Sequence, residues 1–463
     1  MKNNVDFLFS YEHKAREGEA IILLKLMLEE LGYTVALTSS YEEYTRKRIN
    51  AKIVIISAAY DNDVVDFFAN YVTSNVCNKI VNLQWEQILT EEEEGDKEAY
   101  HNPKDKAKNV YHLCWGTSSI KRLVASGVPK DKCILTGAVH LDFLRSEFKG
   151  CLMNKKDLSQ KLNIPEDKSW TLFISSFALV NVDESVIQNL KKAYSDELIE
   201  QLIKWFTDSR TQILYWLEQY VIDNPDKILI YRPHPDEINI DDTLTSLARK
   251  YNNFKIISEL AVKQWINQSD NIYNWYSTSM ADVYFLNKPM QILRPYQVPK
   301  NQEVSIMVGA TFIQTQVQFK ENYNNKKLCA QVIDESLFKS YYCNDFNSLP
   351  AFVIITKFLC DLYNNKYKPN MLYTRKEILT IKKHKARIKI RNFIFSFIEK
   401  VIPQSLLMRP IKSRLNNILK EKSFFKKGFE RNVICDNDIN YYKEKLKPIL
   451  DYYYKDLEQY KKK

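Results

Sequence analysis

Short apolar segments alternate with amphipathic segments through most of this chain, from Val5 to Leu293. The apolar segments end at turn or polar residues, as buried strands do, and the segments between them have the spacing of helices. Parallel strands need a crossover connection, so strands that alternate with helices indicate parallel sheets with helices on both faces. The chain is therefore predicted to be an α/β protein with doubly wound sheets.

The alternation occurs twice, with a polar connection between the two successions. The first predicts strands at residues 5–9, 33–37, 51–57, 79–83, 110–115 and 133–136. The second predicts strands at residues 170–174, 227–231, 254–257, 271–274 and 290–293. A chain of 463 residues exceeds the size of one growing core. We therefore predict a first domain at residues 1–147, a second at 148–370, and a basic helical extension at 371–463. The stretch 91–108 is expected to be a surface loop.

Composition argues against a disordered chain, a zinc-binding protein, a secreted protein and a membrane-spanning protein. Hydrophobic residues make up 45% of the chain and charged residues 27%, which is typical of folded soluble domains. The eight cysteines are scattered without zinc-like spacing and indicate reduced thiols rather than a metal site. The amino terminus has no secretory h-region, and no apolar run is long enough to span a bilayer. We expect a cytoplasmic protein with no metal and no cofactor.

The segment 227–237 ends a buried-type strand with two prolines that flank His234. Proline fixes φ and cannot extend a ladder, so His234 is expected in a rigid loop at the carboxyl end of the strand. There its imidazole and the guanidinium of Arg232 suit a phosphate oxygen. The alternative is that the prolines only shape a turn and His234 caps a neighbour.

A second polar group follows the predicted strand 271–274. Ser277, Thr278 and Ser279 precede a short helical segment, where hydroxyls and free N–H groups form an anion site. Asp282, in the first turn, would favour the helix dipole or hold a ribose hydroxyl. The alternative is an ordinary capped helix. The two groups together predict a clamp for a nucleotide phosphate.

These motifs carry a resemblance to a known class of enzymes. The segment from Tyr231 to Glu237, together with Ser277, Thr278 and Ser279, resembles the donor half of bacterial surface-carbohydrate glycosyltransferases of GT-B type. Similar signatures occur in bacterial sialyltransferases, Kdo transferases and CDP-glycerol glycerophosphotransferases. In the first domain, the segment 115–144 is similar to the part of these enzymes that precedes the linker.

The resemblance implies a fold and a set of roles. It implies two Rossmann-like domains facing a cleft, with His234 and the three hydroxyl residues on the phosphate of the donor, often a cytidine nucleotide. Glu237 and Asp282 would contact the donor nucleotide or its ribose, although relatives usually have glutamate at the second position. The implied activity is sugar transfer from a nucleotide-activated donor to a surface polysaccharide or a lipid-linked glycan, without a metal.

Other functions stay open at this stage. A polyol-phosphate transferase with a CDP-linked donor would use the same phosphate clamp, and a nucleotide-sugar epimerase shares the fold. A nucleic-acid-binding protein is a further alternative, but bulky aliphatic residues interrupt the basic tail and no nucleic-acid module is visible.

A catalytic base must be a carboxylate or histidine that takes the acceptor's proton. Glu17 follows the first strand and Glu86 the fourth, so both are expected at the carboxyl edge of the first sheet. These two are the leading candidates, while His13 and His140 are weaker ones. Each glutamate could instead start a helix or pack against a neighbour.

The tail is basic, with 17 Lys or Arg against 4 acidic residues between Arg375 and Arg431. Apolar and aromatic residues lie among these cations at 389–402, 406–409 and 423–427. This pattern favours a helix at the surface of an anionic membrane, and hence a lipid-linked acceptor. The alternative is that the apolar residues pack on the two domains while the lysines are solvated.

Overall fold

The structure is a computed structural model that describes residues 3–72, 79–191, 194–235, 237, 242–325, 333–367, 372–401 and 432–462. The strands of the first sheet are β1 (Asn3–Tyr11), β2 (Val35–Ser39), β3 (Ile49–Ile56), β4 (Ile80–Asn82), β5 (Tyr111–Cys114) and β6 (Cys133–Leu135). Those of the second are β7 (Ser169–Ile174), β8 (Lys227–Arg232), β9 (Phe254–Ile256), β10 (Asn271–Asn274), β11 (Met290–Leu293) and β12 (Phe312–Ile313).

Helices connect these strands and cover both faces of the two sheets. In the first half they are α1 (Lys14–Glu30), α2 (Glu43–Lys47), α3 (Asn62–Tyr71), α4 (Glu91–Gly95), α5 (Thr117–Ala125) and α6 (Lys155–Leu162). The second half has α7 (Glu184–Leu190), α8 (Asp196–Asp223), α9 (Asp242–Lys250), α10 (Val262–Gln268), α11 (Met280–Phe285) and α12 (Gln316–Asn324). The remainder are α13 (Glu335–Tyr341), α14 (Ala351–Tyr363), α15 (Arg375–Val401) and α16 (Asp436–Leu457).

Both sheets are parallel and doubly wound. The strand order is β2-β1-β3-β4-β5-β6 in the first sheet and β12-β11-β10-β7-β8-β9 in the second. The prediction of an α/β fold with two Rossmann-like domains is therefore confirmed. The order reverses between β1 and β3 in the first sheet and between β7 and β10 in the second. Ligands of such sheets bind at these switch points, beyond the carboxyl ends of the strands.

The carboxyl edges of the two sheets face each other. Tyr194, which follows β7, donates its hydroxyl to Glu93 beyond β4 at 3.0 Å. Ser305, which follows β11, donates its hydroxyl to the carbonyl of Leu89 at 2.8 Å. Each contact joins a segment beyond one carboxyl edge to a segment beyond the other. A cleft between the two switch points follows from this arrangement.

The sequence predicted a surface loop at 91–108, and this is correct only for residues 96–104. It begins with α4 and ends in a 3-10 turn, Asp105–Asn109. Backbone bonds join Glu91 to Glu303 and Glu92 to Asn301, so α4 contacts the second domain. The acidic composition of α4 is typical of a solvated loop, and the segment 301–303 that it contacts is too distant in the sequence to be recognised as its partner.

Helix α1 is buried on all sides. Its apolar residues, from Ala20 to Leu28, surround the helix instead of forming one stripe, which requires cover on the face opposite the sheet. Helices α14 and α16 supply that cover, and both are much later in the chain. The hydroxyl of Tyr442 on α16 donates to Glu19 on α1 at 2.6 Å. The end of the chain thus helps to complete the first core.

Gly116, which follows β5, packs against the backbone of Ser340 and Tyr341, where the chain returns from the second domain to the first. A Cβ at this position would lie 2.3 Å from the carbonyl oxygen of Ser340 and 2.4 Å from the carbonyl carbon of Tyr341. We predict that Gly116→Ala destabilises the protein by about 1–3 kcal/mol, because backbone atoms must move to admit the methyl group. Gly150→Ala is the matched control, since nothing lies within 4 Å of its added Cβ. Equal urea midpoints for the two variants would contradict this packing.

Within the described residues, no helix is long and apolar enough to cross a membrane. The segments 402–431, which include two of the three apolar clusters of the tail, lie outside the described residues. Residues 389–401 belong to α15, whose first turns pack on α3 through Ile381, while Tyr373 packs in the same cluster just before the helix.

Candidate functional site

The second switch point is lined by the residues that follow β7, β8 and β10. Ser175 follows β7, His234 follows β8 and Ser277 follows β10. Strands β8 and β10 are both neighbours of β7. At the usual strand spacing they are about 10 Å apart. His234 and Ser277 therefore lie at the same edge of the sheet, on either side of the residues that follow β7.

The turn after β8 is held by Glu237. The carboxylate accepts hydrogen bonds from the hydroxyls of Ser175 at 2.6 Å and Tyr231 at 2.7 Å, and from the backbone N–H of His234 at 3.3 Å. Burial raises the pKa of Glu237, and these hydrogen bonds act against that shift. Both of its oxygens have partners within the protein. In this structure Glu237 stabilises the turn that presents His234.

Arg232 is buried and directed toward the loop after β9. Its guanidinium donates to the carbonyl oxygens of Ile257 at 3.2 Å, Glu259 at 2.7 Å and Leu260. Leu260 has a φ of 64°, a left-handed conformation that is uncommon for a side chain of this kind. Arg232 thus ties the β9 loop to the turn that carries His234.

The hydroxyl residues after β10 form a tight turn before α11. The side-chain amide of Asn274 donates to the carbonyl of Ser277 at 2.8 Å and accepts from the backbone N–H of Ser277 at 3.0 Å. The Ser277 hydroxyl accepts from the backbone N–H of Ser279 at 3.3 Å. Ser279 is the N-cap residue of α11 but makes no side-chain cap bond, so the Ser277 hydroxyl supports the turn and not the helix end. Ser277 is buried, Ser279 is half-buried and Thr278 is exposed.

Asp282 lies in the first turn of α11 and is 7% exposed. Burial raises the pKa of Asp282 to about 6, and the charge of Lys263 partly offsets this. Lys263 belongs to α10 and forms a 2.8 Å ion pair with Glu19 of the first domain. Asp282 is therefore beside the contact between the two domains.

Glu17 lies at the first switch point, in the first turn of α1, with its carboxylate directed at the loop that joins β1 to α1. It accepts hydrogen bonds from the backbone N–H groups of Glu12 and His13, the Arg16 guanidinium at 3.0 Å and the Ser57 hydroxyl at 2.8 Å. Its side chain has no exposed surface. Glu17 thus fixes this loop, and all of its hydrogen-bonding capacity is directed at protein groups.

Glu86 occupies the same edge but is partly exposed. Arg16 donates to it at 3.0 Å and so bridges the two glutamates singled out in the sequence. The Nε2 of His101 lies 3.3 Å from the other oxygen of Glu86, and its Nδ1 lies 2.7 Å from Glu93. Burial alone would raise the pKa of Glu86, but His101 and Arg16 hold it well below its usual range.

His101 is the cation between two carboxylates. Burial favours its neutral form, but the bonds to Glu86 and Glu93 outweigh this and raise the pKa of His101 to about 9. Its contribution to stability is therefore complete below about pH 6.5, the usual histidine pKa, and is lost as the pH rises through 9.

We predict that the free energy of unfolding falls between pH 6.5 and 9.5 by on the order of 2 kcal/mol through this group. His101→Gln removes the titration and should flatten the profile measured by urea unfolding. The solvent-exposed His384 provides the control His384→Gln, which should keep the wild-type slope. An unchanged slope in His101→Gln would contradict a charged His101.

Sequence reasoning missed His101, Tyr60 and Ser175. His101 and Tyr60 belong to loops of irregular spacing, where no periodic signal marks them. Ser175 could have been found, because a polar doublet at the end of the buried strand β7 is the same signal that drew attention to Ser277. Among the described residues, no group of three His, Cys, Asp or Glu side chains is arranged to hold a metal ion.

A comparison of the sequence with protein-family models and with curated proteins finds no match. Among solved structures, a variant of the wall teichoic acid polymerase TagF has a TM-score of 0.50 at 12% identity, covering 78% of this chain and 90% of that chain. The UDP-GlcNAc 2-epimerase from Neisseria meningitidis bound to UDP-GlcNAc has a TM-score of 0.44 at 14% identity, covering 76% and 99%. The second likeness is too weak to carry an argument.

The first likeness shows the fold alone. Together with the two facing sheets, it confirms the GT-B arrangement that the sequence predicted. Nothing in it bears on the separate relation to Kdo transferases or sialyltransferases.

Proposed function

We propose that this chain transfers a glycosyl group from a nucleotide-activated donor to a bacterial surface polysaccharide or a lipid-linked glycan. The observation that carries the proposal is the second switch point, where the His234 turn and the hydroxyl-lined turn at Ser277 follow the strands on the two sides of β7. Parallel sheets of this order bind their ligands at that place. The polar groups there are donors suited to phosphate oxygens.

The donor phosphates would lie between the two turns. His234, Ser277, Thr278 and Ser279 would donate hydrogen bonds to them, while Arg232 would fix the neighbouring loop and add positive potential. Such donors stabilise the charge that develops on the leaving phosphate, so no metal is needed in this scheme.

The nucleotide would be held by two buried carboxyl groups in different ways. Asp282 faces the domain contact and is available for a ribose hydroxyl. Glu237 would act through the turn that it supports, since its oxygens are already bonded to Ser175, Tyr231 and His234.

The acceptor would enter from the first domain. A base there removes the proton of the acceptor hydroxyl, its oxygen bonds to the anomeric carbon, and the bond to the donor phosphate breaks with the electron pair on phosphate. Of the two glutamates, Glu86 has exposed surface and can meet an acceptor, but Arg16 and His101 lower its pKa and make it a weak base as long as both contacts hold. Glu17 would hold the loop, and the partly exposed Glu12 is its neighbour in that loop. The pKa of Glu12 is raised, mainly by partial burial and also by the negative charges of Glu17 and Glu86. The charges of His13 and Arg16 lower this pKa but do not cancel the shift.

Membrane contact is a further part of the proposal. Peripheral contact with an anionic membrane, on the cytoplasmic face, would use the basic tail from Arg375 onward. A polyol-phosphate transfer from a CDP-linked donor is the second candidate, because the structural likeness is to a teichoic acid polymerase and the phosphate clamp would be the same.

A thermal-shift screen of UDP-, GDP-, CMP-, CDP- and dTDP-linked donors tests the proposal. A donor at 100 times its Kd should stabilise the protein by about 2.7 kcal/mol. We expect one nucleotide class to stand out and to lose its effect in His234→Ala. If no nucleotide or nucleotide-linked donor stabilises the protein, the proposed function is wrong.

A further inference from the structure

Three aromatic rings line the first switch point beside Glu86. The rings of Tyr60, Tyr100 and His101 lie pairwise 5.2 to 5.5 Å apart. Tyr60 donates its hydroxyl to Glu86 at 3.3 Å. Tyr100 is 49% exposed, so one of the three rings is open to a ligand. An aromatic face next to a carboxylate offers both an apolar surface and a hydrogen-bond acceptor.

The charged groups around these rings form one network, which we call the acceptor-side network. Arg16 contacts Glu12, Glu17 and Glu86, and His101 contacts Glu86 and Glu93; its members are Glu12, Arg16, Glu17, Glu86, Glu93 and His101. Four carboxyl groups against two cations give the network a net negative formal charge. A phosphate group brought here would meet like charge, which is costly in a partly desolvated cleft.

Gln84 gives an independent indication of a ligand. It is 1% exposed, and its Nε2 donates to the carbonyl of His101 at 3.5 Å, which places the amide beside the network. Its Oε1 is buried and has no hydrogen-bond partner among the described residues. A buried carbonyl oxygen without a donor is costly, and a ligand hydroxyl would satisfy it.

We propose, on the basis of the function inferred above, that the acceptor is an uncharged sugar rather than a phosphate-containing polymer. Its ring would lie against Tyr100 and its hydroxyls would donate to Glu12, Glu86 and Gln84. Each of these groups accepts hydrogen bonds, which hydroxyls can give and phosphate oxygens cannot.

The test uses the full chain with the donor found in the thermal-shift screen and measures nucleotide release. Neutral methyl glycosides and trisaccharides are compared with an oligomer of glycerol phosphate. We expect at least one neutral sugar to accelerate release about 10-fold or more over water, and the anionic oligomer to give no acceleration. Tyr100→Ala should raise the KM for that sugar about 10-fold with the donor KM unchanged, which marks lost acceptor binding. Tyr215→Ala removes a ring of equal exposure on α8 and should change neither KM.

Glu12→Lys makes the network less negative and should narrow the difference between the two acceptor classes. If the anionic oligomer is the better acceptor for the wild-type protein, or if Tyr100→Ala leaves the acceptor KM unchanged, the inference is wrong. In either case the proposed donor chemistry stands, since donor binding is measured separately. Absence of any donor binding would instead overturn the proposed function.

Discussion

Replacing His234 or Ser277 by alanine should lower turnover by about 100-fold or more, because each is expected to donate to the charge that develops on the leaving phosphate. The fold should survive. The His234 turn is held through its backbone N–H by Glu237, and the Ser277 turn by the side chain of Asn274. Neither set of bonds depends on the side chain that is removed. Turnover is measured as nucleotide release with the donor that stabilises the protein.

His384→Ala, on the exposed side of α15, is the control for the histidine change and should keep wild-type turnover. Circular dichroism should match the wild type in both site variants, and the urea midpoint should fall only slightly in Ser277→Ala, which loses the bond from the Ser279 N–H. Wild-type turnover in His234→Ala or Ser277→Ala would remove that residue from the phosphate clamp.

Replacing Lys263 by methionine should destabilise the protein by about 3–5 kcal/mol, because it leaves a buried carboxylate without its cation. The pair joins α10 of the second domain to α1 of the first at 2.8 Å, with 5% and 9% of the two side chains exposed. Burial would raise the pKa of Glu19, but Lys263 and the hydrogen bonds from Tyr442 and Gln264 lower it overall. Its stabilising contribution is therefore present at neutral pH and is lost as the pH falls below about 4.5.

The double variant Glu19→Gln/Lys263→Met should recover much of the loss, since glutamine still accepts from the Tyr442 hydroxyl and leaves no charge. Lys250→Met breaks an exposed pair with Glu218 and should lower the free energy of unfolding far less, because water screens that pair. Urea unfolding of the four proteins decides the matter. A loss in Lys263→Met no larger than in Lys250→Met would show that the domain contact is weaker than the structure indicates.

The sheets could be predicted from the sequence because their strands are local signals. The eleven predicted strands correspond to β1 to β11, and the prediction lacks only β12, which has two residues. The cover on α1 could not be predicted. Its apolar residues demand a partner, but α14 and α16 come from the far end of the chain, and no local pattern specifies that pairing.

The site divides in the same way. The prolines around His234 and the hydroxyls at Ser277 can be recognised in the sequence because they directly follow predicted strands. In the structure both groups lie at the second switch point. The different environments of Glu17 and Glu86 could not be predicted. The loop after β1 packs on Glu17 and buries it. His101, which contacts Glu86, lies in a loop near Glu93, and Glu93 contacts Tyr194 of the second domain.

Binding of a nucleotide-activated donor at the second switch point is tested most directly by a crystal structure of the protein with the donor that stabilises it most. We expect the donor phosphates between His234 and Ser277, with the nucleoside over the carboxyl edge of the second sheet and the transferable group directed toward Glu86. A nucleotide bound away from the His234 and Ser277 turns, at a donor concentration that saturates the thermal shift, would contradict this expectation.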